Sequence, residues 1–309
     1  MSEIKDKYIN PLTDFGFKKL FGTEPNKELL IDFLNQLLPD RKIRDLTYSS
    51  NEKQGLTEID RKAIFDLYCI GVDGERFIVE MQKAKQNYFK DRSIYYASFS
   101  VQEQGTKNKW DYKLGPVYSI GILDFIFSEH KDQEDLYHLV ELKDQHCEIF
   151  YDKLKFIYVE LPKFKKQEHE LKSQFDKWLY VLTHLSQLED RPKKLRDRVF
   201  KKLFEVAEIA KFTPTERAAY EESLKYYRDI KNVVDTSREE GLEEGLQQGR
   251  EEGLQKGREE GLQKGREEGL QKGREERNLE IARSMKAKNF SIDEIKTITG
   301  MNEKSIKDL

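Results

Sequence analysis

Asp66, Glu80 and Gln82 are the residues of this 309-residue chain whose types and spacing can do chemistry. They lie in two short apolar stretches, Phe65-Asp66-Leu67-Tyr68-Cys69 and Phe77-Ile78-Val79-Glu80-Met81-Gln82, separated by a turn signal at Asp73-Gly74. Alternate side chains of a strand share a face, so Glu80 and Gln82 point one way while Val79 and Met81 point the other. A hairpin with Phe65, Leu67 and Cys69 turned to the core brings Asp66 beside Glu80. Two hard oxygen ligands so paired suit Mg2+ or Mn2+. The same spacing also fits a plain ribbon edge with its polar residues in water, so the pattern alone leaves both readings open.

The neighbourhood narrows the choice. Upstream the chain reads Thr13-Asp14-Phe15-Gly16-Phe17-Lys18-Lys19-Leu20-Phe21 and then Asn26-Lys27-Glu28-Leu29-Leu30-Ile31-Asp32-Phe33-Leu34-Asn35. Downstream of the hairpin comes Arg92-Ser93-Ile94-Tyr95-Tyr96-Ala97-Ser98. In this order, with Phe65-Asp66-Leu67 and Val79-Glu80-Met81-Gln82, the motifs resemble the recombination-promoting nuclease/putative transposase (Rpn) family of the PD-(D/E)XK nuclease superfamily. The likeness runs over about residues 8 to 309.

The resemblance implies a restriction-endonuclease-like α/β fold, a mixed sheet flanked by helices, and Mg2+- or Mn2+-dependent hydrolysis of DNA phosphodiesters linked to recombination or mobile elements. It implies that Asp66 and Glu80 are the motif's two acids, that Asp66, Glu80 and Met81 form the metal set, and that Gln82 stands where most of the superfamily has lysine. A helix-borne acid would be Glu28, with Asp14 as second choice. Glutamine orients a water or a phosphate oxygen but adds no positive charge, which shifts the electrostatic work onto the cation. Lys83 is the nearest replacement cation, although strand alternation would turn it to the opposite face. The missing lysine keeps a second reading open, a catalytically inactive transposase-like protein that binds DNA or protein.

Composition sets outer limits. Hydrophobic and charged residues each make up 37% of the chain, and no apolar run approaches the roughly 20 residues needed to cross a bilayer. The start of the chain has no apolar secretion signal, and two cysteines, Cys69 and Cys147, offer neither a disulfide framework nor zinc spacing. A cytoplasmic protein with no membrane partner is expected. Five histidines, at 130, 138, 146, 169 and 184, show no nucleophile pattern and are assigned no chemistry. Net charge is -3, but residues 153–204 hold fourteen Lys or Arg against seven Asp or Glu, a local +7 that leaves -10 elsewhere. Duplex phosphates would meet Lys163, Lys165 and Lys166 after a strand, and Lys193, Lys194, Arg196, Arg198, Lys201 and Lys202 on a helix; a solvated helical face fits equally.

The elements that must position these groups follow from periodicity. Residues 10–38 carry a helical pattern, closed by Pro39. Strands are expected at about 63–70 and 76–82, a helix at 89–104, further strands at 117–127 and 156–161, and helix throughout 168–232. The organisation expected is a nuclease-like core over 1–165, a helical extension over 166–237, a repeat over 238–277 and a small helix-turn-helix-like module over 278–309. In the repeat, Gly-Leu-Gln-Lys-Gly-Arg-Glu-Glu recurs every eight residues and glycine takes every fourth place, nine of eighteen in the chain. Those glycines cost a helix roughly 9 kcal/mol in propensity, against a few tenths for each Glu-to-Lys pair. The repeat therefore reads as a spacer whose helix is marginal alone, with self-association through its Gly/Leu stripe as the alternative. In the last segment Ser291 and Asn302 are expected to cap helices and Gly300 to end one.

Overall fold

A computed structural model describes residues 6–50, 52–53, 63–105 and 111–309. The chain divides into two compact units, 1–235 and 236–309.

The first unit is built on a six-stranded mixed sheet. Its strands are β1 (Leu46–Tyr48), β4 (Leu67–Gly71), β5 (Arg76–Gln82), β6 (Val117–Leu123), β7 (Tyr137–Lys143) and β8 (Ile149–Glu160), in the spatial order β1-β4-β5-β6-β8-β7. A separate ribbon pairs β2 (Glu52–Lys53) with β3 (Ala63–Ile64). β4 and β5 form the expected antiparallel hairpin, and Gly74 at φ 83° takes a left-handed turn position open to glycine at little cost. Helix α3 (Phe89–Gln102) then carries the chain over the sheet, so that β6 runs parallel to β5; β7, antiparallel to β8, returns the chain so that β8 runs parallel to β6. A parallel pair needs such a crossover, because a tight turn returns the chain antiparallel.

Apolar residues on alternate positions feed two cores, one on each face. Phe77, Val79 and Met81 of β5 face a layer made by α1 (Asp14–Phe21), α2 (Lys27–Leu37), α4 (Gln174–His184), α5 (Arg198–Ala207) and the start of α6 (Pro214–Ala287). Trp178 is fully buried there among Phe21, Phe33 and Phe200, and its ring nitrogen donates to Asp32 Oδ1 at 2.6 Å. Ile78 and Leu123 face the other way, toward Phe89 and Ala97 of α3.

Three expectations are corrected. The pattern over 10–38 breaks into two helices, because Gly22 caps the first and Pro25 opens a 3-10 turn before the second. The segment 168–232 is not helical throughout: α4 and α5 are separated by a loop that contains Lys193, Lys194 and Arg196, and α5 starts only at Arg198. The strand expected over 63–70 is interrupted by a bend at Asp66. The bend puts Phe65 in the α3-side core, while Leu67 and Cys69 enter the opposite one.

The second unit holds the rest of α6, α7 (Ile292–Thr299) and α8 (Glu303–Lys307). Ser291 caps α7 by accepting from Glu294 N–H, Gly300 ends it at φ 68°, and Asn302 accepts from Ser305 N–H. Ala282, Ile295 and Ile306 form its small core, whereas Ile298 and Phe290 are exposed.

Candidate active site at the end of β5

Asp66 sits one residue before β4, and Leu67 pairs across the hairpin with Val79. That register brings Asp66 level with Glu80. Two bonds tie Asp66 to this end of β5: Met81 N–H donates to Asp66 Oδ2 at 2.7 Å, and Asp66 N–H donates to Glu80 Oε1 at 3.2 Å. The bend therefore frees the Asp66 backbone from the ladder and spends it on orienting the neighbouring carboxylate.

Both acids are held where ionisation is opposed. Burial pushes the Asp66 carboxyl above its ordinary range, with the Asp14 charge adding to this; Met81 N–H, Lys18 and Lys83 act against it. Burial and then the Asp66 charge push Glu80 up to about 8, with Asp66 N–H, Arg92 and Lys18 pulling down. Two crowded carboxylates that resist ionisation together form a donor set that a divalent cation would relieve. Oxygen donors of this kind fit Mg2+ or Mn2+.

Gln82 is fixed at both ends. Its Oε1 accepts from Arg92 Nη2 at 2.6 Å, and its Nε2 donates to the Ala84 carbonyl at 3.0 Å. Arg92, on the first turns of α3, thus brings a permanent charge to the position where glutamine brings none. Nothing in the spacing of Arg92 singled it out, since only the packing of α3 on the sheet delivers it. Lys83 keeps to the alternation argument: it lies half-buried under the influence of Asp14 and Asp66, on the side of the sheet that Met81 faces and opposite to Gln82. Burial lowers its pKa, those two carboxylates oppose the shift, and its Nζ stands 5.2 Å from the Tyr226 ring centre.

A cavity of about 770 Å3 opens on the Asp66 side of this site, lined by Asp14, Lys18, Tyr48, Asp66, Ser223 and Tyr226 among others, but not by Glu80 or Gln82. Asp14 and Lys18, one helical turn apart on α1, pair at 2.9 Å. Thr13 caps that helix by accepting from Gly16 N–H. Glu28 is elsewhere. It lies on α2 in ion pairs with Lys202 at 2.6 Å and Arg198 at 3.5 Å, which lower its pKa, and it does not line the cavity.

The family described as PD-(D/E)XK nuclease family transposase matches residues 11–237. The chain belongs to this family. No characterised protein and no solved structure gives a significant match. Membership makes the chain a nuclease-like, transposase-related protein, and the mixed six-stranded sheet agrees with a restriction-endonuclease-like fold. The matched span ends within two residues of the boundary between the compact units. No helix among the described residues is long and apolar enough to cross a membrane.

The basic segment of this family member is partly committed to internal contacts. Lys163 is only 6% exposed and pairs with Glu160 at 2.8 Å. Lys166 pairs with Asp176 at 2.7 Å, Lys194 donates to the carbonyls of His169 and Leu171, and Lys202 holds Glu28. Lys165, Lys193, Arg196 and Lys201 are exposed.

Proposed function

We propose that the chain is a divalent-cation-dependent endonuclease that hydrolyses DNA phosphodiesters at Asp66 and Glu80, in the setting of recombination or mobile elements. The observation that carries this reading is the placement of Asp66 level with Glu80, its N–H bonded to the Glu80 carboxylate and its own carboxylate at a cavity wall, in a chain of a nuclease-transposase family. Asp66 and Glu80, with the carbonyl of Met81 between Glu80 and Gln82, would hold the ion. A Mg2+ or Mn2+ bound there would acidify the attacking water and offset charge on the leaving oxygen. Gln82, aligned by Arg92, orients a water or phosphate oxygen, and Arg92 supplies the fixed charge that lysine provides in most of the superfamily. Lys18 and Lys83 add positive potential on the Asp14 side of the cavity. Asp14, rather than Glu28, takes the place of the helix-borne acid, because it lines the cavity and its charge acts on Asp66. Exposed Lys165, Lys193, Arg196 and Lys201 are the basic residues open to a duplex backbone.

The test is nicking of supercoiled plasmid by purified protein with Mg2+ or Mn2+, beside Asp66→Asn and Glu80→Gln. Cation-dependent nicking lost in both variants, with unchanged melting temperature, is expected. Equal residual nicking in all three preparations defeats the proposal.

A further inference from the structure

His130, His138 and Glu160 are far apart in sequence yet meet at one point. β7 runs antiparallel to β8 with His138 opposite Tyr158, and the 3-10 turn Ser128–His130 returns over the same strand end. Glu160, the last residue of β8, has no exposed surface. Its Oε1 stands 3.1 Å from His130 Nδ1, and its Oε2 stands 3.2 Å from His138 Nε2. The two imidazoles stack with ring centres 4.0 Å apart, and one ligand atom from each of the three residues lies within 4.8 Å of the others.

From this we infer that His130, His138 and Glu160 form a second metal site, for a borderline transition-metal ion such as Zn2+, separate from the acidic pair. Metal–ligand bonds of about 2.0–2.2 Å at tetrahedral angles place ligand atoms about 3.3 Å apart, and each histidine nitrogen stands at about that distance from one of the two carboxylate oxygens, His130 Nδ1 from Oε1 and His138 Nε2 from Oε2. Two imidazoles and one carboxylate are a donor set for Zn2+ and its neighbours, whereas the all-oxygen donors at Asp66 and Glu80 favour Mg2+ or Mn2+. The carboxylate is already oriented by surrounding donors, as ligating carboxylates are: Phe127 N–H donates to Oε1 at 2.8 Å, and Lys163 reaches Oε2 at 2.8 Å while also donating to the Asp135 carbonyl. An open position exists as well. Both histidines line a cavity of about 560 Å3 shared with Lys90, Ile94 and Tyr158, which leaves room for a water or an exogenous ligand.

The site's location connects it to the active site. Gln82, Leu123 and Glu160 are in register across the parallel strands β5, β6 and β8, so Glu160 ends a strand on the same face as Gln82, two strands away. Phe127, whose N–H holds Glu160, packs on Phe89 at the start of α3, the helix that carries Arg92. A metal that fixes His130 therefore steadies the turn against which α3 is seated.

The competing view is a purely structural network of one glutamate, two histidines and Lys163. Titrating the metal-stripped full-length protein with Zn2+ in a calorimeter, and with Co2+ followed by its visible absorption, separates the two. Stoichiometric binding of one ion is expected, retained in the Asp66→Asn/Glu80→Gln double variant. His138→Gln, which keeps a hydrogen-bonding side chain, should weaken affinity by about a hundredfold or more and lose the cobalt spectrum, as should His130→Ala. Lys163→Met removes a competing positive charge and should tighten binding. Failure of the wild type to bind stoichiometrically, or affinity unchanged in both histidine variants, overturns the inference. A zinc-induced rise in melting temperature, absent in His138→Gln, gives a readout independent of nicking, so the second site stands or falls apart from the proposed activity.

Discussion

Glu80 is a carboxylate placed where its charge meets burial on one side and Asp66 on the other. Its folded pKa, about 8 against an ordinary 4.5, means that the folded chain binds a proton the unfolded chain has released across that interval. Stability from this group is then complete below the ordinary carboxylate range and is lost as pH rises through about 8. Without divalent cation, the melting temperature should fall between about pH 5 and pH 9, and Glu80→Gln, neutral throughout, should flatten that fall. Added Mn2+ should restore the wild type at the alkaline end, because a bound cation takes over from the proton. Equal slopes in wild type and variant, read by calorimetry, would show that Glu80 is not strained in this way. Arg92 belongs to the same balance, since its charge favours ionised Glu80 and its guanidinium aligns Gln82. Arg92→Met should therefore cut nicking by roughly tenfold or more and move the pH-rate profile to higher pH. If Gln82 alone did the orienting, rate and profile would stay put. The placement of Asp66 level with Glu80, and of Gln82 on the same face as Glu80, could be read from sequence because a hairpin and strand alternation are local. Arg92 and the histidine cluster could not, because α3 packing and β7–β8 pairing join residues that no spacing relates.

At the scale of elements, α1 holds Asp14 and Lys18 over the cavity, and its geometry depends on one glycine. A Cβ on Gly16 would stand 2.1 Å from the Asn10 carbonyl oxygen and 2.7 Å from Thr13 Oγ1, the atom that caps the helix. A backbone oxygen cannot move aside as a flexible side chain does. Gly16→Ala should cost about 1–3 kcal/mol, seen as a lower denaturation midpoint, and should weaken nicking through displacement of Lys18. A neutral result would mean that the Asn10 turn yields freely. Sequence reading of the elements succeeded where signals were local, as at the caps Ser291, Gly300 and Asn302. It merged α1 with α2 because Leu20, Phe21, Leu29 and Leu30 keep a helical rhythm across a turn that only Gly22 and Pro25 betray. It omitted β7 because that edge strand is exposed or half-buried along its whole length, so no apolar alternation marks it.

For the molecule as a whole, the open question is what the repeat contributes. In the structure it is helical throughout, and a Cβ added at any of its nine glycines meets nothing within 4 Å. Gln247, Gln255, Gln263 and Gln271 each donate to a glutamate four residues on, bonds that soften the propensity cost of glycine without removing it. At 3.6 residues per turn, positions four apart advance by about 40° and leucines eight apart by about 80°, so the Gly/Leu stripe winds around the helix. A continuous two-helix seam needs a stripe that stays near one side, as a seven-residue repeat does. The winding row permits only a local crossing, with the steep angle of about -50° that i±4 ridges give. Spacer is thus the geometry the repeat favours over a long self-association seam. A chain ending at Asp235 should keep the melting temperature of the first unit, its cation-dependent nicking and, in sedimentation, the oligomeric state of the full chain. A drop to a smaller species on truncation would instead show that the repeat pairs chains, and that its glycines serve close approach of two backbones rather than reach.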